Sequence, residues 1–310
     1  MQFGLPSTFS MPVTIQLIRH FPDHTKHRSH GAPAICGSAV KLKISTWNIN
    51  SVRLRLEQVG RFLKQARPDV LCLQETKCPD DRFPMKDLQA FGYPHVVHTG
   101  QKGYNGVAIL SRLPFAGSQV MEMCDRADAR HISVTLGPEA KAAAGVTIHN
   151  FYVPAGGDIP DPKLNEKFAH KLQFLKELRE WSGREQPTRS PAILVGDLNI
   201  APLEHDVWSH KQLLDVVSHT PVETEALEEL RQESGWTDGM RHLRPEPERI
   251  YSWWSYRSPD WAAADKGRRL DHVWLSEGLT PALQAIEVTR ETRDWERPSD
   301  HVPVTATLEL

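Results

Sequence analysis

The stretch ILVGDLNI, residues 193–200, joins an apolar run to two polar side chains that could carry chemistry. The apolar run predicts a buried strand, and Gly196 breaks it. Asp197 and Asn199 follow two residues apart, so in an extended chain both side chains point to the same side. The pattern is typical either of a Gly-Asp turn that closes a strand or of a carboxylate–carboxamide pair in a site. Partners elsewhere in the sequence decide between these two interpretations.

Composition limits the class of protein. The 310 residues are 25% charged and 39% hydrophobic, which fits one large globular domain or two small ones. The formal net charge of -2 predicts that any surface for nucleic acid is a local basic patch. No apolar stretch has the length of a membrane span, and the four cysteines form no CxxC pair. We therefore expect a cytoplasmic protein with reduced thiols and no membrane partner.

Residues 1–38 differ from the remainder of the chain. They are rich in histidine, have no hydrophobic periodicity and contain no apolar core of a secretory signal. We expect a disordered extension or an over-long start, with a metal-binding histidine tract as the alternative. Residues 39–310 are then predicted to form one folded domain.

The domain shows strand and helix patterns without a regular alternation. Helices are predicted over residues 52–66, from Asp161-Pro162 to about Trp181, and from Thr220 to Gly235. Strands are predicted near residues 41–46, 69–73, 106–111, 130–136, 146–153, 192–195, 251–256, 270–275, 285–289 and 303–308. Because helices do not separate most strands, we predict an α/β fold of two packed mixed sheets with helices outside, rather than a doubly wound parallel sheet.

Polar side chains mark the ends of many predicted strands. Each alone could be a cap or a turn residue, but together they predict a single functional rim. They are Asn48, Glu75, Tyr152, Asp197, Asn199, Asp271, Asp300 and His301.

These residue types fit the hydrolysis of a phosphodiester, which needs a cation, an activated water and donors for the developing charge. Glu75 and Asp300 offer hard oxygen ligands that suit Mg²⁺. Asp197 and Asn199 could position the water, and His301 could donate to a phosphoryl oxygen.

The neighbour that orients His301 can also be inferred. Asp300 is adjacent in sequence, so in an extended chain its side chain faces away from the imidazole. Asp271 is therefore the better partner, and its carboxylate would favour the cationic imidazole.

From about Lys41 onward the sequence resembles the exonuclease III branch of the endonuclease/exonuclease/phosphatase superfamily. The motifs are WNIN (47–50), LQETK (73–77), GVA (106–108), GDLN (196–199), RLD (269–271) and SDH (299–301). The resemblance implies a DNase I-like four-layer α/β sandwich over residues 39–310. It also implies a monomeric DNA repair nuclease that uses Mg²⁺, or Mn²⁺ in its place. Such an enzyme cleaves duplex DNA 5′ to abasic sites and trims 3′ ends as an exonuclease.

The same resemblance assigns roles to residues. Around the metal ion it places Asn48, Glu75, Asp197, Asn199, Asp300 and His301. At the reacting phosphate it places Tyr152, Asp197, Asn199, Asp271 and His301, with Asp197 acting on the water. For the substrate it implies Arg130, Trp253, Arg257 and Arg268, with the block SWWSYR (252–257) as an aromatic wall for the base-free sugar. One of Trp253 and Trp254 is expected to be in the core, because alternate residues of a strand face opposite sides.

The resemblance has departures and competitors. Ser51 stands where many relatives carry Gly, and Arg268 stands where some animal relatives carry Trp. A basic rim for DNA is expected among Arg53, Arg55, Lys77, Arg130, Arg257, Arg268 and Arg269, with Arg130 as the first choice. The alternatives are another phosphodiesterase or phosphatase of the superfamily, and a non-catalytic nucleic-acid-binding relative. Retention of every acid in the motifs argues against the non-catalytic relative.

Overall fold

The computed structural model describes residues 40–258 and 260–310, so the extension predicted at residues 1–38 lies outside the described range. The strands of this part are β1 (Lys41–Asn48), β2 (Val70–Gln74), β3 (His95–Thr99), β4 (Val107–Ser111), β5 (Phe115–Gln119), β6 (His131–Leu136), β7 (Thr147–Tyr152), β8 (Ala192–Asp197), β9 (Trp236–Asp238), β10 (Trp253–Trp254), β11 (Gly267–Arg268), β12 (Asp271–Ser276), β13 (Leu283–Val288) and β14 (Val304–Glu309). The α-helices are α1 (Leu56–Ala66), α2 (Met85–Ala90), α3 (Glu166–Glu185), α4 (His210–Leu213), α5 (Pro221–Glu233), α6 (Gly239–Leu243) and α7 (Trp261–Ala264). None of the described helices is both long and apolar enough to cross a membrane.

Two six-stranded sheets carry the fold. Their strand orders are β13-β14-β1-β2-β4-β3 and β5-β6-β7-β8-β12-β9, and β10 and β11 form a separate ribbon. Both sheets are mixed, because β1 runs parallel to β2 and β7 runs parallel to β8 while the other pairs are antiparallel.

Apolar side chains from both sheets form one shared core, which includes Ile44 and Val70 of the first sheet and Ile148 and Val195 of the second. Helices α1 and α2 cover the outer face of the first sheet. Helices α3 and α5 cover the outer face of the second. The predicted four-layer sandwich is therefore confirmed.

Helix α3 begins later than the sequence predicted. The side chain of Asp161 accepts from the backbone N–H of Lys163 at 2.8 Å and makes only a local turn. Asn165 is the N-cap instead, because its side chain accepts from the backbone N–H of Lys167. The prediction of Asp161-Pro162 as the helix start was wrong, since two capping residues lie close together and only packing selects one. Helix α5 begins as predicted, with Thr220 as N-cap and Glu223 completing the capping box.

A histidine pair lies in the second sheet beneath α3. His131 on β6 and His149 on β7 are buried, with His131 Nε2 and His149 Nδ1 3.2 Å apart. Phe151 and Trp181 pack against both rings. Burial lowers the pKa of His149 to about 4 and holds the pKa of His131 well below its usual value. Both rings are therefore neutral near pH 7, and one donates its N–H to the other.

Candidate active site

The polar strand ends meet at one end of the sandwich. Strand pairing places Tyr152 and Asp271 on either side of Asp197. Asn48, at the end of β1, joins the two sheets, because its Nδ2 donates to Glu75 Oε1 at 2.9 Å and to Asp197 Oδ2 at 2.8 Å. The rim expected from the sequence is thus one hydrogen-bonded array that spans both sheets.

Asp197 is held by the chain that follows it. Its Oδ1 accepts from the backbone N–H of Asn199 at 2.9 Å, and its Oδ2 accepts from Asn199 Nδ2 at 3.1 Å. The two side chains meet because Asn199 has a φ of +53°, not because the chain stays extended as the sequence argument assumed. Gly196 before them has a φ of +142°, and a Cβ there would lie 1.9 Å from Phe151 O. Only glycine lets β8 approach β7 this closely.

His301 lies between two buried carboxylates. Its Nδ1 is 2.8 Å from Asp271 Oδ2, and its Nε2 is 3.6 Å from Asp197 Oδ2. Burial opposes the charged ring, but Asp271 and Asp197 outweigh it and raise the pKa of His301 to about 10. Burial also raises the pKa of Asp197 to about 7, against the attraction of His301. The two carboxylates therefore hold a charged imidazolium between them, and burial makes Asp197 harder to ionise than a free carboxyl group.

Ser252 belongs to this array although the sequence argument did not single it out. Its Oγ donates to Asp271 Oδ2 at 2.6 Å and accepts from the backbone N–H groups of Leu270 and Asp271. These bonds fix the carboxylate that faces His301. The only sequence signal was its place at the head of the aromatic block.

Glu75 and Asp300 form the second half of the site. Glu75 Oε1 accepts from Tyr152 OH at 2.8 Å, and Glu75 Oε2 pairs with Lys77 Nζ at 2.6 Å. Burial raises the pKa of Glu75, but Lys77 and Asn48 together lower it below its usual value. Asp300 accepts from Trp253 Nε1 at 3.0 Å. Burial raises the pKa of Asp300, but the charge of His301 and the hydrogen bond from Trp253 outweigh it and lower the pKa below its usual value. Two ionised carboxylates therefore face one cavity.

The donor chemistry of the site fits a divalent cation. Glu75 and Asp300 supply carboxylate oxygens, which are the ligands that Mg²⁺ prefers. Asn48 turns its Nδ2 toward Glu75, and its Oδ1 accepts from the backbone N–H of Asn50 at 3.1 Å. By spacing, Asp197, Asp271 and His301 could also hold a metal ion, because their ligand atoms lie within 4.8 Å of one another.

The tight turn after β1 brings Glu75 to this position. Asn50 and Ser51 have φ values of +46° and +89°, and the backbone N–H of Ser51 donates to Glu75 O at 2.7 Å. A left-handed φ is strained for serine and easy for glycine. The turn therefore requires this backbone conformation at position 51, where many relatives of the expected family carry Gly. Asn50 also donates to Asp300 and accepts from Lys77, which links the two carboxylates.

A cavity of about 730 Å³ runs from the acids to an aromatic wall. Trp253 is half-buried and lines this cavity, as do Arg257 and Arg268. Trp254 is buried and packs edge-on against Tyr251 and Trp261. Trp254 is thus the core residue of the two, as their alternation predicted, but it also borders the cavity next to Trp253.

The expected basic rim is smaller than the sequence suggested. Arg269 is fully buried and pairs with Asp206 at 2.7 Å and Asp238 at 2.8 Å, so its assignment to the rim was wrong. Arg55 is also buried, and it donates to the carbonyl oxygens of Arg297 and Pro298 at 3.0 Å. Both guanidinium groups hold loops together instead of facing DNA.

Lys77 and Arg130 lie at the site, but each is already paired with a carboxylate. Lys77 pairs with Glu75, as described above. Arg130 pairs with Asp128 and stacks over the Tyr152 ring at 4.8 Å. Arg53 is exposed and remains available to a partner.

Lys171 is a site-supporting residue that the sequence argument missed. It is fully buried on α3, with Nζ 2.5 Å from Glu223 Oε1. The same Nζ donates to Asn199 O at 2.8 Å, directly behind the loop that holds Asp197. Lys171 stands on the apolar stripe of α3 between Phe168 and Leu175, and a lone lysine on such a stripe was the available signal.

Comparison with known proteins agrees with this geometry. Residues 45–301 match the Endonuclease/Exonuclease/phosphatase family. Exodeoxyribonuclease III of Haemophilus influenzae is 30% identical over 272 residues, covering 86% of this chain and 99% of that protein. An AP endonuclease from Archaeoglobus fulgidus superposes with a TM-score of 0.79 and 34% identity, covering 87% of this chain and 100% of that one. The 3′ phosphatase NExo from Neisseria, solved with a product DNA hairpin, superposes with a TM-score of 0.78 and 36% identity over the same shares.

Proposed function

This chain belongs to the endonuclease/exonuclease/phosphatase family, and we propose that it is a Mg²⁺-dependent DNA repair nuclease of that family. It cleaves duplex DNA on the 5′ side of abasic sites and removes material from 3′ ends as a 3′–5′ exonuclease. The observation that carries the proposal is the single array in which Asn48 joins Glu75 to Asp197, with His301 and the Trp253 wall at the same cavity.

Each group of the array has a part in the hydrolysis. Asp197 accepts the proton of the attacking water, and Asn199 holds its carboxylate in place. His301, kept cationic by Asp271, donates to a phosphoryl oxygen as charge develops on it. The pKa of Tyr152 is raised well above its usual value by burial and by Glu75, so its hydroxyl stays protonated and can donate to the same phosphate.

The metal ion is assigned to Glu75 and Asp300, and Asn48 beside it holds the Glu75 carboxylate through Nδ2. When bound, Mg²⁺, or Mn²⁺ in its place, neutralises charge that develops on the phosphate. His301 is left out of the ligand set, because both of its ring nitrogens face carboxylates and a protonated ring has no lone pair for a metal. Asp197 and Asn199, which the sequence argument also placed among the ligands, serve the water instead.

Substrate binding is assigned to the cavity and its mouth. Trp253 packs against the sugar that lacks its base, whereas a normal nucleotide fits poorly. Arg257 and Arg268 supply positive charge beside it, and Arg130 supports Tyr152. We expect the domain of residues 39–310 to act as a monomer in the cytoplasm.

A labelled duplex with one tetrahydrofuran abasic site tests the proposal. With Mg²⁺ we expect a nick 5′ to the site, with EDTA we expect none, and with Asp197→Asn we expect a rate lower by about 10²–10⁴-fold. A non-catalytic relative would bind the duplex without nicking it. A lipid or inositol phosphatase would leave the duplex intact and release phosphate from soluble phosphate esters, which would overturn the assignment to DNA.

A further inference from the structure

Lys171 places a fully buried charge behind the loop that holds Asp197. Neither Lys171 nor its partner Glu223 has exposed side-chain surface, and neither lines the cavity. The lysine Nζ is 2.5 Å from Glu223 Oε1, and it donates to Asn199 O at 2.8 Å and to Ala155 O at 3.3 Å. Each N–H of the ammonium group thus has its own acceptor.

The two carbonyl acceptors belong to the loops that follow β7 and β8. Among the described residues, Lys171 is the only donor to Asn199 O or to Ala155 O. Asn199 is buried, and a buried carbonyl group without a donor is costly. The first loop comes close to the lysine because Gly156 has no side chain: a Cβ there would lie 2.9 Å from Lys171 Cδ. The lysine therefore determines where both loops lie.

Asn199 connects Lys171 to the proposed base. Its backbone N–H donates to Asp197 Oδ1 at 2.9 Å, and its Nδ2 donates to Asp197 Oδ2 at 3.1 Å. The carbonyl group that Lys171 holds belongs to the same residue, which is in a left-handed turn with a φ of +53°. A change in the direction of this carbonyl would change the direction of both donors to Asp197.

Glu223 ties the lysine to a third segment, which precedes α5. Both of its carboxylate oxygens lie 3.0 Å from the backbone nitrogen of Ser218, and Oε2 also accepts from Thr220 Oγ1 at 2.5 Å. Ser218 O in turn accepts from the backbone N–H of Ala201 at 2.8 Å. The segment before α5 and the loop after β8 are therefore joined both directly and through the buried pair.

Such a pair is expected to contribute more to position than to stability. Taking both charges out of water costs about as much as their attraction returns, so a neutral pair of similar volume is often equally stable. Burial lowers the pKa of Lys171, and the charge of Glu223 opposes this shift. The same two helices are also joined by exposed ion pairs, because Arg179 on α3 binds Glu229 and Glu233 on α5. Arg179 forms no hydrogen bond with either loop.

We propose that Lys171 is a positioning residue for the hydrolysis, which sets the direction of the Asp197 carboxylate through Asn199 and has Glu223 as its counterion. This inference rests on the proposed function, since it uses Asp197 as the acceptor of the water proton. Lys171 does not line the cavity, so its loss should slow bond cleavage while substrate binding is kept. A misplacement of about 1 Å lowers the rate on the order of 10²-fold.

Three variants separate position from stability. Lys171→Met combined with Glu223→Gln removes both charges at similar volume, so it should unfold at nearly the wild-type urea concentration while losing the donor to Asn199 O. Glu223→Gln alone leaves the buried lysine unpaired and should be less stable, although Nζ still donates to Asn199 O. Arg179→Met is the control, because it breaks only the exposed pairs between the same helices.

Single-turnover nicking of the tetrahydrofuran duplex, its Kd and urea unfolding are measured for each protein. We expect the double variant to be slower on the order of 10²-fold with an unchanged Kd. Glu223→Gln should be faster than the double variant despite its lower stability, and Arg179→Met should have the wild-type rate.

A wild-type rate in the double variant, or rates that follow the order of stability, would overturn the role of Lys171. Should the double variant not fold, Glu223→Gln decides alone, because a loss on the order of 10²-fold with Lys171 still present would also overturn it. Failure of the proposed function is distinct, since the wild type would then not nick the duplex with Mg²⁺.

Discussion

Mild acid should destabilise this domain through the buried His149. The pKa of His149 is about 4 in the folded protein against a usual 6.5, so between these values the unfolded chain binds a proton that the folded chain excludes. The stability from neutral His149 is therefore fully present above pH 6.5 and is lost as the pH falls toward 4. From about pH 7.5 to about pH 5, linkage gives a loss of about 2 kcal/mol in the free energy of unfolding from this one group.

His149→Phe isolates the effect, because it keeps an aromatic ring beside Trp181 and carries no proton. Urea unfolding followed by circular dichroism at the two pH values gives the loss for each protein. We expect the acid-induced loss to be smaller by about 2 kcal/mol in His149→Phe than in the wild type. Phe151→Leu, a change in the same cluster, should lower stability equally at both pH values. Equal acid-induced losses in the wild type and His149→Phe would show that His149 is not held neutral by burial.

The other predictions concern activity and the extension. Asp197→Asn should lower turnover on the order of 10²–10⁴-fold while duplex binding is kept. A near-normal single-turnover rate would show that a group other than Asp197 accepts the proton of the water. Glu75→Gln should raise the Mg²⁺ concentration needed for half-maximal rate; an unchanged Mg²⁺ dependence would remove Glu75 from the metal site. Arg257→Ala should reduce the salt slope of duplex binding by about one, whereas Arg130→Ala, whose charge is paired with Asp128, should lower turnover with a smaller change in slope. Deleting residues 1–38 should leave the melting temperature within about two degrees and the activity intact, and a larger drop would mean that the segment docks on the domain.

Local patterns in the sequence predicted most of the architecture. Apolar runs located nine of the twelve strands of the two sheets but missed β3, β5 and β9. The polar residues at the ends of the located strands include Asn48, Glu75 and Asp197. This works because side-chain direction in a strand depends on near neighbours alone. The resemblance to the exonuclease III branch is confirmed by the matching family and relatives.

Features that depend on distant partners were not accessible in this way. Arg268 and Arg269 are adjacent, yet one faces the cavity and the other is buried. The difference comes from Asp206, which binds Arg269 from 63 positions earlier in the chain. Lys171 is likewise explained only by Glu223, which pairs with it from a different helix. The spacing of residues along the sequence does not indicate which charged side chains will pair when they are far apart in the chain.

The pairing of β1 with β14 has a consequence for the newly made protein. Ser45 Oγ and Thr305 Oγ1 meet at 2.7 Å although they are 260 positions apart, and Asp300 and His301 directly precede β14. During synthesis, the first strand of the domain has to wait for this partner while the second sheet can already form. A chain that ends before residue 300 contains Glu75 and Asp197 but lacks Asp300, His301 and the strand that joins β1 to β13. The first sheet and the hydrogen-bonded array are therefore completed together, only once residues 300–309 have been added.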